Sequence, residues 1–96
     1  MNRLFEVRIS KKAQAEVKKI LKSGQKKTGD RIMAGLAQLS SDPFTPRPGA
    51  DILQLEAVDP TVYRLRIGKY RVMYTIDQKK KIVWVTMVLH RKKAYK

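Results

Sequence analysis

Residues 63–74 read Tyr63-Arg64-Leu65-Arg66-Ile67-Gly68-Lys69-Tyr70-Arg71-Val72-Met73-Tyr74, and this dozen decides the fold. Two alternating runs flank Gly68-Lys69. A two-residue turn with glycine first is what a type II′ hairpin requires. That turn pairs Ile67 with Tyr70, Arg66 with Arg71, Leu65 with Val72 and Arg64 with Met73. Arg64, Arg66 and Arg71 then share one face. Tyr63, Leu65, Ile67, Val72 and Tyr74 share the other, which is the face to pack on helices. Arginines placed directly opposite each other repel, and no carboxylate between residues 62 and 76 relieves them.

Outward from the hairpin, residues 78–81 make a second turn. Residues 82–89 (IVWVTMVL) are nearly all apolar and predict the central, most covered strand. Asp77 opposite Ile82 places Arg71 opposite Val88. Trp84, Thr86, Val88 and His90 then join the arginine face, although a one-residue slip reverses that. Toward the N-terminus, residues 4–9 alternate as a short strand, with Phe5, Val7 and Ile9 on one side. Ser10 caps a helix from Lys11 whose stripe is Ala13, Val17, Ile20 and Leu21. Ser23-Gly24 ends it. A second helix starts after residues 28–30, with Ile32, Met33, Leu36 and Leu39 as its apolar face, and ends before Pro43. Residues 42–51 hold three of the four prolines and make an ordered loop. Residues 52–55 add a short extended piece. The order is β-α-α-β-β-β: an N-terminal strand, a helical hairpin, then a three-stranded antiparallel meander. By the layer argument this is an α+β fold in a single domain over residues 1–96.

Composition narrows the function. Cysteine is absent and there is one histidine, so neither a disulfide framework nor a zinc module is expected. No metal or other cofactor is called for. No apolar run approaches the roughly 18 residues of a membrane span, and the N-terminus lacks a signal-peptide core. A cytoplasmic protein without a membrane partner is the expectation. Hydrophobic content of 43% excludes a disordered basic tail. The formal net charge of +14 on 96 residues calls for a polyanion. The excess is uneven, with 11 cations against one acid in the last 35 residues.

Clustered arginines without an acid suit phosphate, because the guanidinium fork matches phosphate oxygens. The alternative is a solvated strand face whose charges discourage edge pairing, a task lysine performs as well. His90-Arg91-Lys92-Lys93-Ala94-Tyr95 adds a group that titrates near neutral pH, a cation for developing charge and a ring for stacking. Alone, a histidine at a strand end or a late tyrosine is more often structural. Beside three arginines they outline a ribonuclease site without metal. Such a site needs a base for the ribose 2′-OH, cations for the crowded phosphate and an acid for the leaving oxygen. Arginine stays protonated and serves poorly as a base. His90, Asp51 and Glu56 are the candidate proton acceptors, and residue type alone does not choose among them.

These motifs resemble the RelE/ParE superfamily of toxins from bacterial and archaeal toxin–antitoxin pairs, most of all its archaeal RelE-type members. The pattern Y-R-x-R-x-G-x-Y-R-x-x-Y falls on residues 63–74, and H-R-x-x-x-Y on residues 90–95. The resemblance implies a helical hairpin on a sheet of about four strands. It implies a ribosome-dependent endoribonuclease, an mRNA interferase that cuts mRNA in the A site by 2′-OH attack. A RelB-like antitoxin would neutralise it, and ribosome and mRNA would be its other partners. The family's site residues fall on Arg64, Arg66, Arg71, Arg91 and the stacking tyrosine Tyr95, with Lys69, Lys92 and Lys93 as further RNA contacts. Well-known bacterial members carry lysines where Arg64 and Arg66 stand. Two other functions compete: a ParE-like inhibitor of DNA gyrase acting by protein contact, and a non-catalytic RNA-binding module. Loss of Arg71 or Arg91 is expected to abolish toxicity with the melting temperature nearly unchanged.

Overall fold

A computed structural model of the chain describes residues 4–55 and 61–91. Its elements are β1 (Glu6–Ile9), α1 (Lys11–Lys22), α2 (Lys26–Ser41), β2 (Asp51–Gln54), β3 (Tyr63–Ile67), β4 (Tyr70–Asp77) and β5 (Ile82–His90). The expected order holds, with the extended piece after the proline-rich loop formed as a paired strand, β2. The sheet runs β1-β5-β4-β3-β2. Strands β2 to β5 form an antiparallel meander, and β1 adds to β5 in parallel. The parallel step follows from the αα crossover, which returns the chain to the sheet by way of the other edge.

The hairpin register is the one the turn predicts, from Ile67↔Tyr70 to Tyr63↔Tyr74. Gly68 takes φ +56, the left-handed first position of such a turn. Leu65, Val72 and Tyr74 are fully buried and Ile67 nearly so. Both helices lie on that side. Helix α1 is capped by Ser10, whose Oγ accepts from the Ala13 N–H at 3.1 Å. It buries Ala13, Val17 and Ile20, and α2 buries Ile32, Leu36 and Leu39. Leu21 and Met33 belong to neither set; they are 45% and 53% exposed at the rims of the two stripes. Helix α2 starts at Lys26, earlier than expected. Gly29 lies inside it and is buried against Leu21, so the close approach of the two helices overrides glycine's poor helix propensity.

Two expectations about β5 are corrected. The middle strand is β4, not β5, and β5 leaves Trp84 and Met87 exposed on the uncovered face. The register also shifts between Met73 and Tyr74. Tyr74 pairs with Val85 and Met73 with Met87, so Thr86 is a bulged extra residue. Beyond it, Arg71 faces Leu89, Val72 faces Val88 and Tyr70 faces His90. Val88 and His90 therefore sit on the helix side, while Met87 and Leu89 take the arginine side. The bulge lets Val83, Val85 and Val88, spaced two and then three apart, all reach the core. Ser10 holds it in place, its Oγ–H donating to Thr86 O at 2.9 Å and its N–H to Val85 O.

The proline-rich loop is ordered by Arg47. Its guanidinium donates to the carbonyls of Asp42, Thr45 and Gln38 and to Gln38 Oε1, all at 2.7–3.0 Å. Asp42 Oδ1 accepts from the N–H groups of Phe44 and Thr45. Buried Tyr74 closes the loop onto the sheet by donating to Pro43 O at 2.7 Å. Burial, with help from Tyr63 and Asp42, pushes the Tyr74 phenol well above the ordinary tyrosine value. The folded state thus favours the neutral ring. Its stabilisation is complete below the unfolded value of about 10 and lost as pH rises beyond it. Thermal melts between pH 8 and pH 11 are expected to fall above pH ~10, and less steeply in Tyr74→Phe. An unchanged slope in that variant would assign the alkaline loss to other groups.

Candidate functional site

The face of the sheet away from the helices, uncovered by any described element, carries alternate residues of each strand. From β3 come Arg64 and Arg66, and from β4 Arg71, Met73 and Thr75. Met87 and Leu89 of β5 and Asp51 and Leu53 of β2 complete this end of the face. The three strand arginines are therefore together, as the hairpin predicts. Arg91 follows the last residue of β5, and its N–H donates to the Lys69 carbonyl at 2.6 Å. This contact puts Arg91 at the hairpin turn, the end of the sheet where Arg66 and Arg71 face each other. Lys69 is exposed in the turn itself. Lys92, Lys93 and Tyr95, like Glu56, lie outside the described residues.

The arginines do not have equal surroundings. Arg66 is exposed. Arg71 is only 3% exposed, and its Nη1 donates to Gly68 O and Tyr70 O, both at 3.0 Å. It braces the turn from beneath. Its head group is spent partly on backbone carbonyls of the turn, which argues against the expectation that its loss leaves the melting temperature nearly unchanged. Arg64 is half-buried, and its Nη2 donates to Asp51 Oδ1 at 3.3 Å. Its buried Nε has no hydrogen-bond partner among the described residues. A buried guanidinium donor without an acceptor is costly and marks a place where an acceptor is wanted.

Two of the proton-acceptor candidates can be placed. His90 is on the helix side, its ring edge-on to Tyr70 with centroids 5.3 Å apart. It lines a cleft of about 460 Å³ with Lys12, Glu16 and Lys19 of α1. The bulge at Thr86 removes it from the arginine face, contrary to the simple register. Asp51 is on the arginine face, opposite Arg66 and bonded to Arg64. It supplies a carboxylate at the end of the face where β3 and β4 carry only cations, the acid of β4, Asp77, lying at the far end of that strand. Sequence reasoning named Asp51 only as one acceptor among three. Its position depends on the pairing of β2 with β3, and the four residues at 51–54 (DILQ) are too few, and too irregular in pattern, to fix a partner.

Among the described residues, no three of His, Cys, Asp and Glu gather as a metal site would need. No described helix is long and apolar enough to cross a membrane. The arrangement can hold a phosphodiester between arginines, with one carboxylate beside it.

A family model described as "ParE toxin of type II toxin-antitoxin system, parDE" matches residues 7–95. A Methanocaldococcus jannaschii protein named "Putative toxin RelE1" is 34% identical over 92 residues, 96% of either chain. The crystal structure of the archaeal RelE–RelB complex from Pyrococcus horikoshii contains a chain of the same fold. Its TM-score is 0.73 at 26% identity, with 91% of this chain and 94% of that one covered. A RelB–RelE antitoxin–toxin complex from Methanococcus jannaschii matches with a TM-score of 0.63 at 22% identity, covering 91% and 93% of the two chains.

Arg71→Ala is expected to destabilise the protein by roughly 1–3 kcal/mol through its lost charged hydrogen bonds. That corresponds to about 4–8 °C of melting temperature for each kcal/mol in a chain of this size. Arg66→Ala, at an exposed position, is expected to melt within a degree or two of wild type (roughly ±0.5 kcal/mol). Differential scanning calorimetry of the two variants checks both statements, and equal melting temperatures would mean that Arg71 does not brace the turn.

Proposed function

Since this chain belongs to the RelE/ParE superfamily of toxins from type II toxin–antitoxin systems, we propose that it is an endoribonuclease that cuts mRNA on the ribosome by 2′-OH attack. The observation that carries this is the meeting of Arg64, Arg66 and Arg71 on the sheet face away from the helices, with a buried Arg64 N–H that has no acceptor among the described residues. A pentacoordinate phosphate concentrates negative charge. Guanidinium groups already fixed in place stabilise it without having to reorganise. Arg66 and Arg91, more accessible than the braced Arg71, hold the nonbridging oxygens and meet charge on the leaving 5′-oxygen. Tyr95, by its place in the H-R-x-x-x-Y motif, stacks on the base beside the cut.

Asp51 is the proton acceptor this geometry favours. It is the one carboxylate on the arginine end of the face among the described residues, and His90 lies on the opposite side of the sheet. Held by Arg64, Asp51 would take the 2′-OH proton as the ribose oxygen attacks the adjacent phosphorus. As the P–O5′ bond breaks, the leaving 5′-oxygen takes a proton from solvent water, Asp51 returns the 2′-OH proton to solvent, and a cyclic phosphate and a 5′-hydroxyl remain.

The antitoxin follows from the same charge. The Pyrococcus and Methanococcus relatives are solved as complexes with RelB. A chain of net charge +14 needs an acidic cover when it is not on RNA. A RelB-like antitoxin is the proposed partner.

The matching family model is that of ParE, so gyrase inhibition is the second reading. Primer extension on transcripts after brief induction separates the two. Cuts phased with codons inside translated frames are expected. Intact transcripts accompanied by DNA damage would replace cleavage with gyrase poisoning. On isolated ribosomes, Asp51→Asn is expected to slow cutting by about 10²-fold or more, the usual scale for a lost general base. Arg66→Ala and Arg91→Ala should cost about as much. Wild-type cutting by Asp51→Asn would place the acceptor elsewhere.

A further inference from the structure

The uncovered face does not stop at the arginines. Four residues farther along β4, Thr75 pairs with Trp84 of β5, which in turn pairs with Arg8 of β1. Trp84 is the only tryptophan in the chain. It is 41% exposed on a strand whose neighbours Val83 and Val85 are buried. With Met87, 37% exposed on the same face of β5, it leaves a patch of apolar surface on that side of the sheet.

Its setting is built. On the β1 side, the Arg8 guanidinium lies over the ring at 5.3 Å from the centroid. Arg8 is in turn held by an ion pair from its Nε to Glu6. On the β4 side, Trp84 walls a hollow of about 470 Å³ with Thr75, Ile76, Asp77, Gln78 and Lys79. Asp77 is fixed there by accepting from the Lys80 N–H at 3.0 Å. One flank of the ring is thus occupied by a cation, and the other side adjoins an open space edged with hydroxyl, amide and carboxylate groups.

We propose that this hollow is a nucleobase subsite, in which an unpaired base of the bound RNA stacks on Trp84. The charges choose this occupant. A phosphate would meet the Asp77 carboxylate. An acidic peptide segment would meet both Asp77 and Glu6. An uncharged, flat, hydrogen-bonding base meets neither difficulty. Lys79 and Arg8 stand at the rim for the phosphates on either side of it. At about 3.3 Å per strand residue the hollow is ~13 Å from Arg71. That distance is spanned by about four nucleotides at the stacked spacing of 3.4 Å, and by fewer in an extended strand. The subsite therefore reads a base a few nucleotides from the scissile phosphate. It rests on the RNA-cutting function for its place along the strand, but not for its affinity.

The single tryptophan makes the test direct. The full chain is titrated with a 2′-O-methyl RNA hexamer, which has no 2′-OH to attack, and Trp84 fluorescence is followed. Saturable quenching is expected. An abasic hexamer with the same phosphates should leave the emission nearly unchanged. By anisotropy of a labelled hexamer, Trp84→Ala is expected to bind about 5- to 100-fold more weakly, the scale of one lost base stack. Trp84→Phe should restore most of the affinity. Equal binding by wild type and Trp84→Ala, or equal quenching by the abasic strand, would overturn the proposal. So would quenching by an acidic peptide but not by RNA, which would make the patch a protein-docking surface. The two proposals fail separately. Transcripts cut in cells without quenching here would remove the subsite and leave the nuclease. Quenching with intact transcripts would do the reverse.

Discussion

The pairing of Leu65 with Val72 across the β3–β4 hairpin is the constraint from which the rest follows. Both side chains are fully buried beneath the helices. Side chains alternate across a strand, so burying these two sends Arg64, Arg66 and Arg71 to the opposite face. Slipping this register would put guanidinium groups into an apolar core, at a cost of several kcal/mol each. The cation cluster is thus enforced by the core behind it. That is the condition a preorganised phosphate site requires, because its charges do not need to be gathered when the ligand arrives.

The cluster is completed by parts distant in sequence. Arg47 ties the proline-rich loop to the end of α2 through three hydrogen bonds, to Gln38 and the capping Asp42, and braces the loop itself through a fourth to Thr45, and Tyr74 ties Pro43 to the middle strand. Together they deliver Asp51 to the sheet edge beside Arg64. One carboxylate among several arginines changes the chemistry available. It holds Arg64 and places a carboxylate where that end of the β3–β4 hairpin offers cations alone.

A single hydroxyl has comparable reach. Ser10 Oγ caps α1 by accepting from Ala13 and at the same time donates to the bulged Thr86. The bulge divides β5 into two phases. Before it, Trp84 lies on the uncovered face; after it, Met87 and Leu89 do, and Val88 and His90 turn inward. The uncovered face therefore becomes an arginine end and an aromatic end joined by Met73 and Met87, a form suited to a strand that offers both phosphates and bases.

Much of this was legible in residues 63–74. The Gly68 turn, the hairpin register, the shared face of three arginines and the basic bias of the final third depend on neighbours close in sequence and on a period of two. The helix stripes of Ala13, Val17 and Ile20 and of Ile32, Leu36 and Leu39 were legible for the same reason. The phase of β5 was legible as far as Trp84 and Val85, and not beyond Thr86. A bulge conserves local alternation on either side of itself and is chosen by the core's demand for Val88, for which the two-then-three spacing of Val83, Val85 and Val88 was the one available signal. Nor was the place of Asp51 legible, since a four-residue strand does not name its partner, nor the burial of Arg71 under its own turn. By itself the sequence determined which side chains lie together within a hairpin or along a helix, because those relations are local. The tertiary structure alone decided which carboxylate joins the arginines and that His90 leaves them, because each of those depends on strands and loops brought together across the whole chain.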